Sequence, residues 1–215
     1  MSLSLYSYFR SSAAYRVRIA LNLKALPHSI LPVHLVRNGG EQLSAAFVSI
    51  NPQALLPVLE DGDLHISQSL AILEYLEETA PTPPLLPKAA ADRARVRQLA
   101  LAICCEIHPL NNLRVLRFLT GELGLDAAAK DRWIRHWLEQ GLAALEVEIA
   151  SGPAGVFCFG DTPTLADCCL IPQLFNARRS QLDLTPYPRL IAIENACNNL
   201  PAFHAAHPAQ QIDAE

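Results

Sequence analysis

The first 80 residues of this 215-residue chain contain no cysteine. Dithiol redox chemistry and thiolate ligation of a metal are thereby excluded from that stretch. Long apolar runs are also missing. The longest, Leu99 to Cys105, has seven residues, against ~20 for a membrane-spanning helix. No basic segment followed by an apolar one opens the chain, so neither a secretory leader nor a membrane partner is expected. Charged residues are scarce at 18% and the net charge is −4, which leaves no general basic field for nucleic acid. The apolar share of 51% excludes a disordered chain and suffices for one large domain or two small ones.

The six cysteines, Cys104, Cys105, Cys158, Cys168, Cys169 and Cys197, all lie in the second part of the chain. None forms C-x-x-C. They are expected to be buried small hydrophobes in a reducing, cytoplasmic setting. The histidines are scattered without ligand spacing, so no metal is expected.

Pro81-Thr82-Pro83-Pro84-Leu85-Leu86-Pro87 is a proline-rich break that neither helix nor strand runs through. It divides a first domain, 1–80, from a second, 88–215, with 81–87 as linker. In the first, Leu3 to Phe9 predicts a strand, and Ser11 and Ser12 precede a helix over Tyr15 to Lys24. Ile30 to Leu35 predicts a second strand and Glu41 to Phe47 a short helix or turn. Val58–Glu60 and Asp63–Ile66 flank Asp61-Gly62, which predicts a hairpin with a type I′ turn. Ser69 then opens a helix. The second part shows helical periodicity throughout. It is continuous from Arg93 to Leu119, with a bend at Pro109 that would aim His108 and Asn112 at a cleft. An all-helical bundle is expected, with Trp133 and Trp137 in its core and a capping box at Thr164-x-x-Asp167.

The order β-α-β-α-β-β-α is that of a thioredoxin-like α/β domain. Redox members place a cysteine where the first helix begins, and here that place reads Arg10-Ser11-Ser12-Ala13-Ala14. Two readings of the serines stay open. They cap the helix, or they offer a hydroxyl to an anion at a helix N-terminus.

Asn51-Pro52-Gln53-Ala54-Leu55-Leu56-Pro57-Val58-Leu59, an acidic hairpin and Gln68-Ser69 together resemble the glutathione site of cytosolic glutathione transferases. Tyr6 to Ser12, Arg16 to Leu21, Ile107-His108-Pro109-Leu110-Asn111-Asn112, Asp161 to Asp167 and Leu182 to Pro188 resemble the zeta class over the full length. One departure is clear. The class signature S-S-C-[SAT]-W-R has a cysteine where this chain has Ala13, so no mechanism through that thiol is available.

The resemblance implies the two-domain architecture of the cytosolic transferases and glutathione as cofactor. It implies a cis Pro57, with the main chain of Leu56 pairing with the cysteinyl part of glutathione. Ser69, assisted by Gln68, would take the γ-glutamyl carboxylate. Gln53, His108 and Asn112 would complete the cofactor site, and Ser12, or failing it Ser11, would donate to the thiolate. Arg10, Arg114 and Arg179 would clamp a small dicarboxylate substrate, since arginine suits bidentate carboxylate binding. Arg178 is expected to be the dispensable member of its pair. A two-fold homodimer would bring Glu106 to the glutathione amine of the partner subunit.

The activity implied is cis–trans isomerisation of maleylacetoacetate or maleylpyruvate, by thiolate addition, rotation and elimination. A general zeta-type transferase acting on α-halo acids, and a non-catalytic glutathione-fold binding protein, remain as alternatives.

Overall fold

The computed structural model describes residues 3–153 and 155–215. The chain forms two compact units. One comprises the residues up to Leu85 together with Asn198–Glu215, the other Leu86–Cys197. The sequence assigns 88–215 to a single helical domain, and the structure instead gives the tail beyond Cys197 to the first unit. Three hydrogen bonds supply the reason. Arg18 Nε donates to Ala206 O (3.1 Å), Asn22 Nδ2 to Ala202 O (3.1 Å), and the Phe9 amide to Asp213 Oδ2 (3.0 Å).

The first unit is built on a sheet of order β2-β1-β3-β4. Strand β1 (Leu3–Ser7) pairs parallel with β2 (His28–Pro32) and antiparallel with β3 (Val58–Asp61), which pairs antiparallel with β4 (Leu64–Ser67). Leu5, opposite Ile30 and Leu59, is fully buried. β1 stops at Ser7, short of the expected Phe9. There Arg18 Nη1 donates to Ser7 Oγ (3.0 Å) and Nη2 to Phe9 O (3.1 Å), which turns the chain into helix α1 (Ser12–Leu23). β2 ends at Pro32, which cannot donate to a ladder. In the hairpin Asp61 pairs with Leu64, so the central residues are Gly62 and Asp63. Only Gly62 has positive φ (59°), the type II′ pattern rather than the expected I′.

Helix α2 (Ala45–Ile50) is capped by Ser44, and α3 (Ser69–Thr79) follows β4. Phe47 joins Val33 and Val58 in a small buried cluster against which Tyr6, Ile50 and Leu56 pack. The proline-rich segment is not a free tether at its start. Buried Lys24 Nζ donates to Glu77 Oε2 (2.8 Å), Ala80 O (2.7 Å) and Pro83 O (3.0 Å), and Glu77 accepts the Leu85 amide (2.9 Å).

The second unit contains α4 (Ala90–Leu101), α5 (Leu113–Gly121), α6 (Ala127–Ser151), α7 (Leu165–Arg179) and most of α8 (Pro188–Asn198). The continuous helix expected to Leu119 breaks instead. A π-helical turn, Ala102–Ile107, leads to a 3₁₀ turn, His108–Asn111, and Asn112 is extended (ψ 144°). Pro109 has no amide proton to continue the ladder. Gly141 on α6 faces the π turn, where an added Cβ would overlap the Ile107 side chain. The core runs along Leu138, Leu142, Leu145 and Ile149 of α6.

Trp133 and Trp137 are half-buried rather than core. The Trp133 indole donates to Leu110 O at 2.8 Å, which ties α6 to the 3₁₀ turn. The capping box does form. Fully buried Asp167 accepts from the Thr164 amide (2.8 Å) and hydroxyl (2.9 Å), and also from the Cys158 amide (2.9 Å). Four cysteines are buried, but Cys104 is only partly so and Cys105 is exposed. Helix α9 (Pro201–Ala206) packs on α1 within the first unit. Among the described residues no helix is long and apolar enough to cross a membrane, and no three metal-ligating side chains cluster.

Candidate active site

Ser11 and Ser12 have different surroundings. Ser11 is the N-cap of α1, extended (ψ 110°), and its Oγ accepts the Ala14 amide at 3.2 Å. Ser12 is the first helical residue and is 7% exposed. First-turn amides have no intrahelical partner, so a hydroxyl in this position sits in a field that favours an anion. Arg10 precedes the cap, exposed, with its guanidinium 4.7 Å from the centroid of the buried Phe9 ring.

The loop before β3 is braced by a residue that sequence reasoning passed over. Buried Asn51 donates to Leu55 O (2.8 Å) and accepts the Gln53 amide (3.1 Å). It thereby closes the turn that presents Leu56. The Leu56–Pro57 peptide is cis, and the Leu56 side chain packs on the Val33–Phe47–Val58 cluster. Across from it, Gln68 Nε2 donates to Gln53 Oε1 at 2.8 Å, which brings two of the candidate residues together. Gln68 has φ 70° and ψ 112°. Such a conformation costs a non-glycine residue about 1–3 kcal/mol and tends to mark a ligand site.

Ser69 starts α3, 6% exposed, and its Oγ accepts from Arg16 Nη1 at 3.1 Å. Atoms of two other buried side chains of the first unit lack protein partners. These are Nε and Nη2 of Arg16 and Oε1 of Gln42. Gln42 is 5% exposed and passes Gly40, whose φ is 122°. A Cβ on Gly40 would sit 2.6 Å from the Gln42 amide nitrogen. The Gly39-Gly40 pair ahead of Gln42 was the available signal in the sequence. Arg18 differs from Arg16. It makes hydrogen bonds from all three nitrogens, and burial pushes its pKa down to about 10 despite support from Tyr15 and Asp213.

The other candidates belong to the second unit. Glu106 lies in the π turn and His108 opens the 3₁₀ turn. Asn112 caps α5, its Oδ1 accepting the Arg114 amide at 3.1 Å, so half of its side chain already has a structural task. Arg114 is exposed in the first turn of α5. Arg178 and Arg179 end α7, and Arg178 is engaged by Glu194 of α8 through Nε (3.1 Å) and Nη2. That fork raises the Arg178 pKa. Arg179 is exposed.

Comparison with known proteins places this geometry. Residues 5–84 match the family model for the glutathione S-transferase N-terminal domain and 127–193 that for its C-terminal domain. The chain is 51% identical over 214 residues to the probable maleylacetoacetate isomerase of Vibrio cholerae serotype O1, covering 100% of this chain and 99% of that protein. A holo structure of maleyl pyruvate isomerase, a bacterial zeta-class glutathione S-transferase, superposes with TM-score 0.96 at 49% identity, covering 99% and 100% of the two chains. The maleylacetoacetate isomerase of Methylobacterium extorquens AM1, solved with bound malonate and glutathione, gives TM-score 0.95 at 39% identity over 99% of each chain. A thioredoxin-like sheet with hydroxyls where a redox thiol would stand, a cis proline before β3 and this full-length similarity make the chain a member of the glutathione S-transferase family, in its zeta class.

Proposed function

We propose that this protein is a glutathione-dependent cis–trans isomerase of maleylacetoacetate or maleylpyruvate type. One observation carries the reading. The first unit has the scaffold of a thiol enzyme but no thiol, and a buried hydroxyl, Ser12, opens α1 instead. In a member of this family the thiol is then that of glutathione, the ligand with which the similar isomerase of Methylobacterium extorquens AM1 was solved. The residues present fit glutathione, because a ligand carboxylate would answer the unused Nε and Nη2 donors of buried Arg16, whose Nη1 already bonds Ser69 at the start of α3.

When bound, glutathione supplies the thiol whose addition makes the substrate's double bond single and rotatable, and whose elimination restores the alkene. The chain contributes stabilisation, anchoring and charge recognition. Lowering a thiol pKa by two units needs about 2.7 kcal/mol. A hydrogen bond from Ser12 to the thiolate, ~1.5–3 kcal/mol, and the α1 N-terminus, ~0.3–1 kcal/mol, supply that. Ser69 and the first-turn amides of α3 hold the γ-glutamyl carboxylate. The Gln53–Gln68 pair flanks it, and the Leu56 main chain aligns the cysteinyl part. Arg10, Arg114 and Arg179 are the proposed clamp for the substrate carboxylates, and His108 and the Asn112 amide group are proposed as further contacts to glutathione.

We assign the protein to the cytoplasm, where reduced thiols such as the buried Cys158, Cys168, Cys169 and Cys197 persist. We also assign it a homodimeric state, in which Glu106 reaches the glutathione amine of the partner subunit. Sedimentation giving a mass near twice 23.5 kDa supports the dimer, and the single-chain mass contradicts it. Maleylacetoacetate, maleylpyruvate and an α-halo acid assayed side by side, with and without glutathione, test the activity. Preference for the two enones with strict glutathione dependence supports the isomerase. Equal or better turnover of the halo acid transfers the reading to a general transferase.

A further inference from the structure

Arg16 and Arg18 lie two residues apart on α1 and are equally buried, at 2% and 1% exposed. Residues two apart on a helix face different ways, whereas Arg16 and Ser12, four apart, share a face. The difference in environment shows in their hydrogen bonds. Arg18 satisfies Nε, Nη1 and Nη2 with Ala206 O, Ser7 Oγ and Phe9 O. Arg16 makes one contact, Nη1 to Ser69 Oγ at 3.1 Å, and leaves Nε and Nη2 without an acceptor. Among the described residues it forms no direct ion pair with a carboxylate. A buried guanidinium with unused donors is costly, and such a group persists where a ligand or ordered water completes it.

The single contact also fixes proton direction. A serine hydroxyl has one proton to give. When its oxygen accepts from a cation, that proton is turned outward to another acceptor. Ser69 opens α3, whose first turn contains no acidic residue, so the acceptor favoured there is an anion.

We infer that Arg16 is a positioning residue of the cofactor site. It holds Ser69 as a hydrogen-bond donor to the γ-glutamyl α-carboxylate and supplies the buried positive charge that balances that carboxylate. The inference rests on the glutathione reading and adds to it a second-turn residue of α1 that the Ser-Ser helix start alone does not assign.

The test compares glutathione with an analogue whose γ-glutamyl α-carboxylate is replaced by hydrogen, each titrated calorimetrically into the full-length protein. If the unaltered protein binds neither, the glutathione reading itself fails. If it binds glutathione, the analogue should bind about tenfold or more weakly. In Arg16→Gln the two ligands should approach equal affinity, and Arg16→Lys, which keeps charge but loses the fork, should fall between. Adding Ser69→Ala to Arg16→Gln should cost little more than either change alone, because the two act as a unit.

A preserved affinity ratio in Arg16→Gln, with both ligands weakened alike, would reduce Arg16 to a structural residue and overturn the inference. The unaltered protein gives an independent reading should Arg16→Gln fail to fold. The arginine Nε–H signal of Arg16, followed by nitrogen-15 NMR, should move on adding glutathione and stay in place with the analogue. A signal that responds to neither or equally to both overturns the inference.

Discussion

Ser11 Oγ accepts the amide proton of Ala14 at 3.2 Å, so Ser11 and not Ser12 closes the N-terminus of α1. Of the two adjacent serines, Ser11 thereby has the folding role, and the proposed chemical role falls to Ser12. Ser11→Ala should cost about 1 kcal/mol of stability and leave the pKa of the bound thiol where it was. Ser12→Ala should raise that pKa by about 1–2 units and lower turnover at neutral pH, with stability little changed. Thiolate absorbance followed against pH in both variants distinguishes them. A shift in Ser11→Ala alone would exchange the roles.

Ser69→Ala should weaken glutathione by about tenfold or more, since a hydrogen bond to a charged group is lost. At saturating glutathione its turnover should stay near that of the unaltered enzyme. A titration showing undiminished affinity removes Ser69 from the site.

Asp167 serves folding. Burial raises its pKa, and the hydrogen bonds from Cys158 and Thr164 oppose that rise. Asp167→Ala leaves the Cys158 amide and the Thr164 amide and hydroxyl without their buried acceptor. A loss of about 3 kcal/mol or more in urea unfolding is expected, with unchanged activity per folded molecule at low temperature. A loss below about 1 kcal/mol would show that the box is ornamental to stability.

His207 is expected to make stability depend on pH. Its pKa is lowered, first by burial and then by His204 and Arg18, and its neutral ring accepts the Ala209 amide through Nδ1 at 3.2 Å. The unfolded chain therefore takes up this proton at a higher pH than the folded one. The stabilisation is complete above the ordinary histidine value of about 6.5 and falls away as pH drops below it. Between pH 7.5 and 5.5 the unaltered protein should lose more stability than His207→Gln in urea unfolding. Equal losses would remove His207 from the linkage.

The two arginines ending α7 should also separate. Arg178 is committed to Glu194, so Arg178→Ala should lower stability modestly, at constant substrate KM. Arg179→Lys should raise substrate KM while glutathione KM stays constant, and Arg179→Ala should raise it further. A substrate KM that responds to Arg178→Ala instead would place the clamp one residue earlier.

The thioredoxin-like order was legible because each element of the first unit carries its own local signal. Examples are Asp61-Gly62 at the hairpin and Ser69 at α3. The motif Leu56-Pro57 and Gln68-Ser69 was legible for the same reason, being contiguous in sequence. Tertiary facts were not. Nothing local shows that Arg18 reaches Ala206 and recruits the tail to the first unit. The helix over Arg93 to Leu119 kept its apolar period through the break, so periodicity could not reveal the π turn or the capping by Asn112. Arg16, Gln42 and Asn51 escaped because their importance lies in which donors and acceptors stay unpaired or close a turn. That becomes visible only when the chain is folded.

The most direct test of the account is the stoichiometry of glutathione during turnover of maleylacetoacetate. The isomerase reading predicts many trans products formed per glutathione, with the free thiol concentration constant throughout and no turnover when glutathione is omitted. Consumption of one glutathione per substrate, or isomerisation that proceeds without it, would contradict that reading.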